Sequence, residues 1–295
     1  MLFRSPETEV LITRMYQRQD SGHQGDEVIV LEPVYDSYIP SIELAGAQAI
    51  RVPMTSAYRV DWDRVASAVS PKTRAIMVNS PHNPSGMILR EAELRILESI
   101  VLRHNLLVIS DEVYEHMIFD GEPHRSVSAF PALAERAIVV SSFGKTFHVT
   151  GWKVGSVVAP REIMAEFRKV HQFNVFVTNS VMQVGLSAYM QNAERYLTLP
   201  QFYQRKRDFF RQGLAKTPFR LYPCEGTFFQ LVDYSAISTQ SELDFCKWLT
   251  TEVGVAAIPM SAFHQDPVEN KTIRFCFAKK EETLSRALER LAALA

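Results

Sequence analysis

The chain has 295 residues, a length that fits two domains or one large domain with an appendage. Hydrophobic residues make up 46% and charged residues 22%, a globular composition that excludes intrinsic disorder and fibrous repeats. Thirty-two Lys and Arg stand against 33 Asp and Glu, so the net charge of -1 favours neither nucleic acid nor an anionic membrane as a partner. We expect an enzyme that acts on small molecules.

The cysteines Cys224, Cys246 and Cys276 are scattered and lack the spacing of metal ligands. We predict neither a disulfide framework nor a metal site, and this cysteine usage favours the cytoplasm. Residues 1–6 lack the apolar core of a secretory signal, and the longest apolar runs are too short to cross a bilayer. We therefore expect a cytoplasmic protein without a membrane contact.

From Gly25 onward, short β-branched runs alternate with longer amphipathic ones. Strands are predicted over Glu27–Leu31, Ala47–Val52, Ala75–Asn79, Leu106–Ser110, Ala137–Ser142 and Val154–Val158. Helices are predicted between some of them, over Asp61–Val69 and Arg90–His104. Apolar strands that alternate with helices predict an α/β fold, with a mostly parallel sheet covered by helices on both faces.

After Pro160 the pattern changes to long, charged helices, predicted over Arg161–His171 and Ala193–Leu214, the second of them broken near Pro200. Strands over Thr227–Val232 and Thr272–Ala278, followed by a helix with a leucine stripe, predict a smaller α+β unit. We divide the chain into a divergent or truncated segment at 1–24, a large domain at 25–190, and a connecting helix with a small C-terminal domain at 191–295.

Polar side chains follow three of the predicted strands. They lie in the runs N-S-P-H-N-P-S-G at 79–86, S-D-E-V-Y at 110–114 and S-S-F-G-K-T at 141–146. Because ligands of open α/β sheets bind outside the carboxyl ends of the strands, these runs predict a common site.

Each of these runs also has a purely structural interpretation. Asn83-Pro84 is a turn signal, and Asp111 could cap a helix over Glu112–Met117. Tyr114 could be a core aromatic residue, and Lys145 a solvated one.

Two other known motifs share residues with the run around Lys145, but the sequence matches neither of them in full. Gly144-Lys145-Thr146 is similar to the end of a phosphate-binding P-loop, but the glycine required five positions before Gly144 is Val139. Ser142 and Lys145 match the S-x-x-K pattern of serine penicillin-recognising enzymes, yet neither S-D-N nor K-T-G follows.

In order and spacing, the three runs resemble the pyridoxal-phosphate-dependent aminotransferases of fold type I, class I. G-W-K-V-G at 151–155 and I-R-F-C-F-A at 273–278 add to the resemblance. E-P-V-Y-D-S-Y at 32–38 and G-V-A-A-I-P at 254–259 are similar to the methionine and kynurenine aminotransferase branch. The resemblance implies that the large domain binds pyridoxal 5'-phosphate and that two copies of the chain form a homodimer.

The resemblance also implies a role for each of the polar residues. Lys145 would form a Schiff base with the cofactor aldehyde and move the substrate Cα proton. Asp111 would keep the pyridine nitrogen protonated, while Tyr114 and Asn83 would hydrogen-bond the phenolic oxygen of the cofactor.

The remaining implied contacts are to the cofactor ring, its phosphate and the substrate. Tyr35 would stack on the ring, and Ser142 and Lys153 would bind the phosphate. Lys153 supplies a point charge where other members place Arg. Arg274 would bind the substrate α-carboxylate, a contact worth about 1.5 to 3 kcal/mol. Taken alone, Lys153 and Arg274 could equally be solvated residues on strands.

Two aromatic residues match positions that line the substrate side-chain pocket in this branch. They are Phe228 and, from across a dimer interface, Phe176. Apolar aromatic walls favour methionine, aromatic amino acids or kynurenine as donors to a 2-oxo acid. Both residues are explained equally well as core residues.

Residues 1–24 depart from the family pattern, because the elements that normally precede G-D-E-V are absent. Pro6-Glu7 stand where the family has small residues, so an N–H is lost and a negative charge is added beside the phosphate. We expect a weaker homodimer and cofactor binding loosened by about one to two orders of magnitude. Two interpretations stay open: an aminotransferase with activity impaired by its start, or a catalytically silent relic that serves as a binding or regulatory module.

Overall fold

The computed structural model describes residues 2–3, 25–266 and 270–294, so most of the segment at 1–24 lies outside the described residues. Within these ranges, the larger of two sheets has seven strands. In chain order they are β1 (Leu2–Phe3), β2 (Glu27–Glu32), β3 (Gln48–Pro53), β4 (Thr73–Asn79), β5 (Leu107–Asp111), β6 (Ala137–Ser142) and β7 (Gly155–Val158). Their spatial order is β1-β7-β6-β5-β4-β2-β3.

The central strands of this sheet run parallel, as the sequence predicts. Strands β2 to β6 form four parallel pairs, whereas β7 pairs antiparallel with both β6 and β1. Both faces are buried, because Ile29 and Ile76 pack into one apolar cluster while Val30 and Met77 pack into another on the opposite face. The register sets Asn79 opposite Asp111, so the carboxyl ends of β4 and β5 lie side by side.

The helices lie between and after these strands. In chain order they are α1 (Tyr38–Leu44), α2 (Trp62–Ser67), α3 (Glu91–His104), α4 (Pro131–Ala134), α5 (Phe143–Thr146), α6 (Arg161–Asn174), α7 (Ser180–Met190), α8 (Glu194–Leu197), α9 (Leu199–Leu214), α10 (Glu242–Trp248) and α11 (Glu281–Ala292). Asp61 caps α2 by accepting a hydrogen bond from Arg64 N at 3.1 Å. The predicted break in the connecting helix falls between α8 and α9, where Pro200 occupies the first turn of α9.

The smaller sheet consists of β8 (Arg220–Leu221), β9 (Phe229–Asp233), β10 (Ile258–Pro259) and β11 (Thr272–Cys276), all antiparallel, in the order β10-β11-β9-β8. Strand β9 begins two residues later than predicted, because Thr227 has a φ of 68° and cannot continue a strand. Helices α9, α10 and α11 pack on this sheet through one apolar cluster. We propose the end of α7 as the boundary between the large domain and the connecting helix.

Among the described residues, no helix is long and apolar enough to cross a membrane.

Candidate active site

The carboxyl ends of β4 and β5 are joined by one buried amide. Asn79 Nδ2 donates to the backbone oxygen of Asp111 at 2.8 Å, and Asn79 Oδ1 accepts from the backbone nitrogen of Asn83 at 2.7 Å. A single side chain thus fixes the loop that carries Asn83 against the strand that ends at Asp111.

Asp111 lies at the centre of the site, and both of its carboxylate oxygens have partners. Tyr38 Oη donates to Oδ2 at 2.5 Å, and Val113 N donates to Oδ1 at 3.1 Å. Burial raises the pKa of Asp111, although these hydrogen bonds and the charge of Lys145 act in the opposite direction. Residues 113–116 form a turn and no helix spans 112–117, so the alternative that Asp111 caps a helix there is wrong.

Glu112, beside Asp111, belongs to a separate polar cluster behind the site. Its Oε2 lies 2.7 Å from His124 Nε2, and its Oε1 accepts from Ser110 Oγ at 2.8 Å and from Val127 N at 3.1 Å. These contacts tie the turn after β5 to the segment at 124–127. We assign this cluster a structural role.

Lys145 lies in the short helix α5, directly after β6. This connection is tight, because a Cβ atom on Gly144 would stand 2.9 Å from Thr150 Cα. The Lys145 Nζ atom lies 5.7 Å from the ring centroid of Tyr114. Glycine at 144 therefore lets the chain fold back and turn the amine of Lys145 toward the site.

The charges of Asp111, Lys153 and Arg274 act on the amine of Lys145. Burial lowers its pKa, the charge of Asp111 opposes this shift, and the charges of Lys153 and Arg274 add to it. The amine is therefore neutral at a lower pH than an exposed lysine. The site holds three cationic side chains beside one carboxylate, so it suits a ligand that carries negative charge.

Arg274, on β11, reaches the same place from the smaller sheet. Its Nη1 atom donates to Asn83 Oδ1 at 2.5 Å, and its guanidinium carbon lies 4.0 Å and 4.7 Å from the ring centroids of Phe229 and Phe263. Burial lowers the pKa of Arg274. The guanidinium is held between two aromatic rings, so the solvated interpretation of this residue is wrong.

Aromatic side chains form a further wall of the site. Tyr114 is buried, and burial raises its pKa, so its phenol stays protonated and can donate a hydrogen bond. The ring of Phe228 contacts Tyr114 edge-on, with centroids 5.3 Å apart. Tyr35 contacts Tyr38 in the same way, with centroids 5.5 Å apart.

The other predicted residues lie at the end of β6 or beyond it in the chain. Ser142 is buried at the end of β6, opposite Gly155. Lys153 and Val177 line one cavity of about 480 Å³. Phe176, next to Val177, is 80% exposed, so it does not enter the site of its own chain.

Three side chains that shape the site are not predicted from the sequence. Tyr38 belongs to a run quoted for the family resemblance, and its position three residues after Tyr35 is the only local signal for it. Phe229 and Phe263 flank Arg274, but they look like ordinary core aromatic residues in the sequence. Phe263 ends a short 3₁₀ turn over Met260–Phe263, and only the tertiary fold brings it to Arg274.

Comparison with known proteins shows the family to which the chain belongs. The profile of the family "Aminotransferase class I and II" matches residues 20–291. The chain belongs to this family, whose members use pyridoxal phosphate, and it has the fold type I architecture. The sheet of parallel strands whose carboxyl ends carry Asn83, Asp111 and Lys145 is thus the larger sheet of an aminotransferase.

Three relatives and one solved structure show which aminotransferases the chain is similar to. The chain is 51% identical over 269 residues to methionine aminotransferase of Escherichia coli strain K12, covering 90% of this chain and 70% of the relative. It is 37% identical over 309 residues to the probable N-succinyldiaminopimelate aminotransferase DapC of Mycobacterium tuberculosis, covering 98% and 78%. It is 32% identical over 302 residues to human kynurenine–oxoglutarate transaminase 1, covering 91% and 72%. The solved structure of Escherichia coli YbdL, identified with a methionine aminotransferase function, superposes with a TM-score of 0.94 at 47% identity, covering 99% of this chain and 77% of that one.

Proposed function

We propose that this protein transfers the amino group of an apolar or aromatic L-amino acid to a 2-oxo acid, with pyridoxal 5'-phosphate as cofactor. The observation that carries the proposal is the convergence of Lys145, Asp111 and Arg274 in one half-buried site. Their chemistry complements the cofactor and substrate: an amine for an aldehyde, a carboxylate for a ring nitrogen, and a guanidinium for a carboxylate.

When bound, the cofactor supplies an electron sink for the negative charge left at the substrate Cα. Lys145 would hold the cofactor aldehyde and carry the Cα proton, a task that its lowered pKa favours. Asp111 would keep a proton on the ring nitrogen, while Tyr38 and Val113 hold the carboxylate in place. Tyr114, kept protonated by burial, would donate to the phenolic oxygen with Asn83.

The remaining proposed contacts neutralise the anionic groups of the ligands. Ser142 and Lys153 would bind the phosphate, and Tyr35 would cover the cofactor ring. Lys153 contributes a point charge, because an ammonium group cannot form the two-pronged contact of a guanidinium. Arg274 would bind the substrate α-carboxylate through that two-pronged contact, with Asn83 holding the guanidinium on one side.

Phe228 is proposed to contact the substrate side chain. Its ring packs against Tyr114 and, at a centroid distance of 6.0 Å, against Tyr203. Such an aromatic wall favours methionine, phenylalanine or kynurenine over a charged donor such as aspartate. The names of the Escherichia coli and human relatives support methionine and kynurenine among these donors.

A second copy of the chain is the partner proposed for the surface around Phe176. The end of α6 and the start of α7 expose a row of large apolar side chains: Phe173, Phe176, Val177, Val181 and Val184. This surface adjoins the cavity lined by Lys153, so a partner subunit seated there would bring its own Phe176 near this site. The three free cysteines support the cytoplasm as the compartment.

The dimer can be tested by placing a charge on this surface. Val181→Asp is expected to shift the protein from dimer to monomer in sedimentation equilibrium, because the carboxylate would be buried in an apolar interface. Leu44→Asp serves as the control, since Leu44 is also exposed but lies on α1. A dimer that survives Val181→Asp unchanged would contradict the proposed interface.

The activity is tested with the purified protein saturated with pyridoxal phosphate. We expect methionine, phenylalanine or kynurenine to react with a 2-oxo acid, with a kcat/KM about 100-fold above that of aspartate. Formation of the new 2-oxo acid is followed by mass spectrometry. A protein that binds the cofactor but leaves all these donors unchanged would instead be the silent relic or binding module.

Arg274→Ala is expected to raise the KM of every amino acid about 10- to 150-fold, because one charge-assisted contact to the α-carboxylate is lost. Cofactor affinity, measured by fluorescence titration, should change little. Arg220→Ala is the control, since Arg220 is paired with Asp233 on the smaller sheet and lies outside the proposed site. An equal loss of cofactor affinity in Arg274→Ala would show that Arg274 has a structural role.

A further inference from the structure

The loop at 224–228 joins the smaller sheet to the loop that carries Asn83. The backbone nitrogens of Glu225 and Gly226 both donate to the backbone oxygen of Gly86, at 3.1 and 2.8 Å. A Cβ atom on Gly226 would stand 2.7 Å from Pro81 Cβ, so only glycine permits this close approach. The loop at 224–228 and the loop that carries Asn83 are therefore held in a fixed position against each other.

The side chain of Glu225 adds three hydrogen bonds to this junction. Oε1 accepts from Arg59 Nη2, and from Arg90 Nη2 at 3.0 Å, while Oε2 accepts from Ile88 N at 3.2 Å. The side chain is only 18% exposed. Burial alone would raise the pKa of Glu225, but hydrogen bonds from Arg59, Arg90 and Ile88 lower it below the ordinary value. Glu225 is thus a charged, paired carboxylate.

On its other side, the loop is anchored to the segment that follows Tyr114. Phe119 N donates to the backbone oxygen of Glu225 at 3.0 Å, and Thr227 N donates to the backbone oxygen of Met117 at 2.8 Å. Thr227 is fully buried and has a φ of 68°, a conformation that a β-branched residue adopts only when its surroundings enforce it. The next residues, Phe228 and Phe229, contact Tyr114 and Arg274.

We propose that Glu225 is a positioning residue for transamination. Its carboxylate acts through Ile88 N on the loop that carries Asn83, and along the chain through residues 226–229 on the aromatic rings that contact Tyr114 and Arg274. The inference rests on the proposed function. The carboxylate of Glu225 is occupied by Arg59, Arg90 and Ile88, so we assign it no contact with substrate or cofactor. Its effect is to keep Asn83 and the Phe228–Phe229 pair, which come from different sheets, in a fixed relation around the substrate.

The test compares Glu225→Ala with Glu122→Ala. Glu122 is a matched control, because its carboxylate also pairs with Arg90, at 3.1 Å, whereas Arg59 and Ile88 N donate to Glu225. Glu225→Ala should raise the KM for methionine about tenfold and leave kcat within about twofold. A tenfold change lies within the range of interaction energies measured between residues that share an ion pair. Glu225→Gln should recover much of this loss, since its amide oxygen still accepts a hydrogen bond.

A second measurement does not require turnover. Hydrocinnamate, an apolar carboxylate that cannot react, should bind the cofactor-loaded Glu225→Ala variant about tenfold more weakly than wild type in calorimetry. If Glu225→Ala lowers only the melting temperature, with KM and hydrocinnamate binding unchanged, Glu225 is structural and the inference is wrong. Wild-type turnover of methionine would then still support the proposed function. If Glu225→Ala does not fold, Arg59→Met, which removes one donor to the Glu225 carboxylate, takes its place and should show the same rise in KM and the same weakening of hydrocinnamate binding.

Discussion

Replacing Lys145 by alanine is expected to lower transamination of methionine by at least about 10⁴-fold, because the amine would both hold the cofactor and carry the Cα proton. Alanine supplies neither function. The measurement combines the turnover rate with mass spectrometry after treatment with sodium borohydride, which fixes a covalently held cofactor to its lysine. The wild-type protein should gain the mass of the reduced cofactor at Lys145, and the variant should not.

Lys153→Ala is the matched control for this experiment. Lys153 lies close enough for its charge to lower the pKa of Lys145, but its proposed partner is the phosphate. Its replacement should weaken cofactor affinity by about 10-fold or more, while covalent attachment at Lys145 persists at saturating cofactor. A borohydride-stable adduct that remains in Lys145→Ala, on any other lysine, would refute the assignment.

Asp111→Asn is expected to fold normally and to lower kcat by about 10²- to 10⁴-fold, because an amide cannot keep the ring nitrogen protonated. The hydrogen bond from Val113 N can be kept by the amide oxygen, so the melting temperature should change little. Rates are measured at saturating cofactor, with thermal unfolding recorded on the same samples.

The Tyr38→Phe variant tests how much of the effect of Asp111 on kcat depends on its hydrogen bond from Tyr38 and how much on its charge. This variant removes the donor at 2.5 Å from Oδ2 but leaves the carboxylate intact. It should lower kcat by less than Asp111→Asn, because the loss of one hydrogen bond is worth about 1.5 to 3 kcal/mol at a charged acceptor. A near-normal rate in Asp111→Asn would mean that Asp111 only caps the turn through Val113.

The larger sheet was largely predictable from the sequence. Unbroken apolar strands occur mainly in parallel sheets, and the carboxyl ends of such strands meet at one edge, so Asn83, Asp111 and Lys145 could be expected to converge. The turn at 112–117 was less predictable, because contacts from Glu112 to His124 and Val127 N shape it. Local propensity contains no information on contacts of this kind.

The surroundings of Arg274 were harder to predict for a similar reason. Its aromatic neighbours come from β9 and from the turn before His264, and alternation along β11 shows only that Arg274 and Cys276 share a face. The start of β9 depends on the backbone of Thr227, which has a positive φ and whose N–H donates to the backbone oxygen of Met117. The expectations for the segment at 1–24, including the loosened cofactor binding, concern residues outside the described ranges and stay predictions.

The two sheets contribute different kinds of residue to the site. The larger sheet supplies Asp111 and Lys145, which would carry the reaction. The smaller sheet supplies Arg274, which would bind the α-carboxylate common to all donors, and Phe228, which would contact the donor side chain. With these proposed roles, changes in donor range would accumulate on the smaller sheet, while the residues of proton transfer on the larger sheet stay the same. For protein engineering, residues 226–229 are the economical place to search for new amino-donor preferences, with Gly226 held constant because Pro81 leaves no space for a side chain.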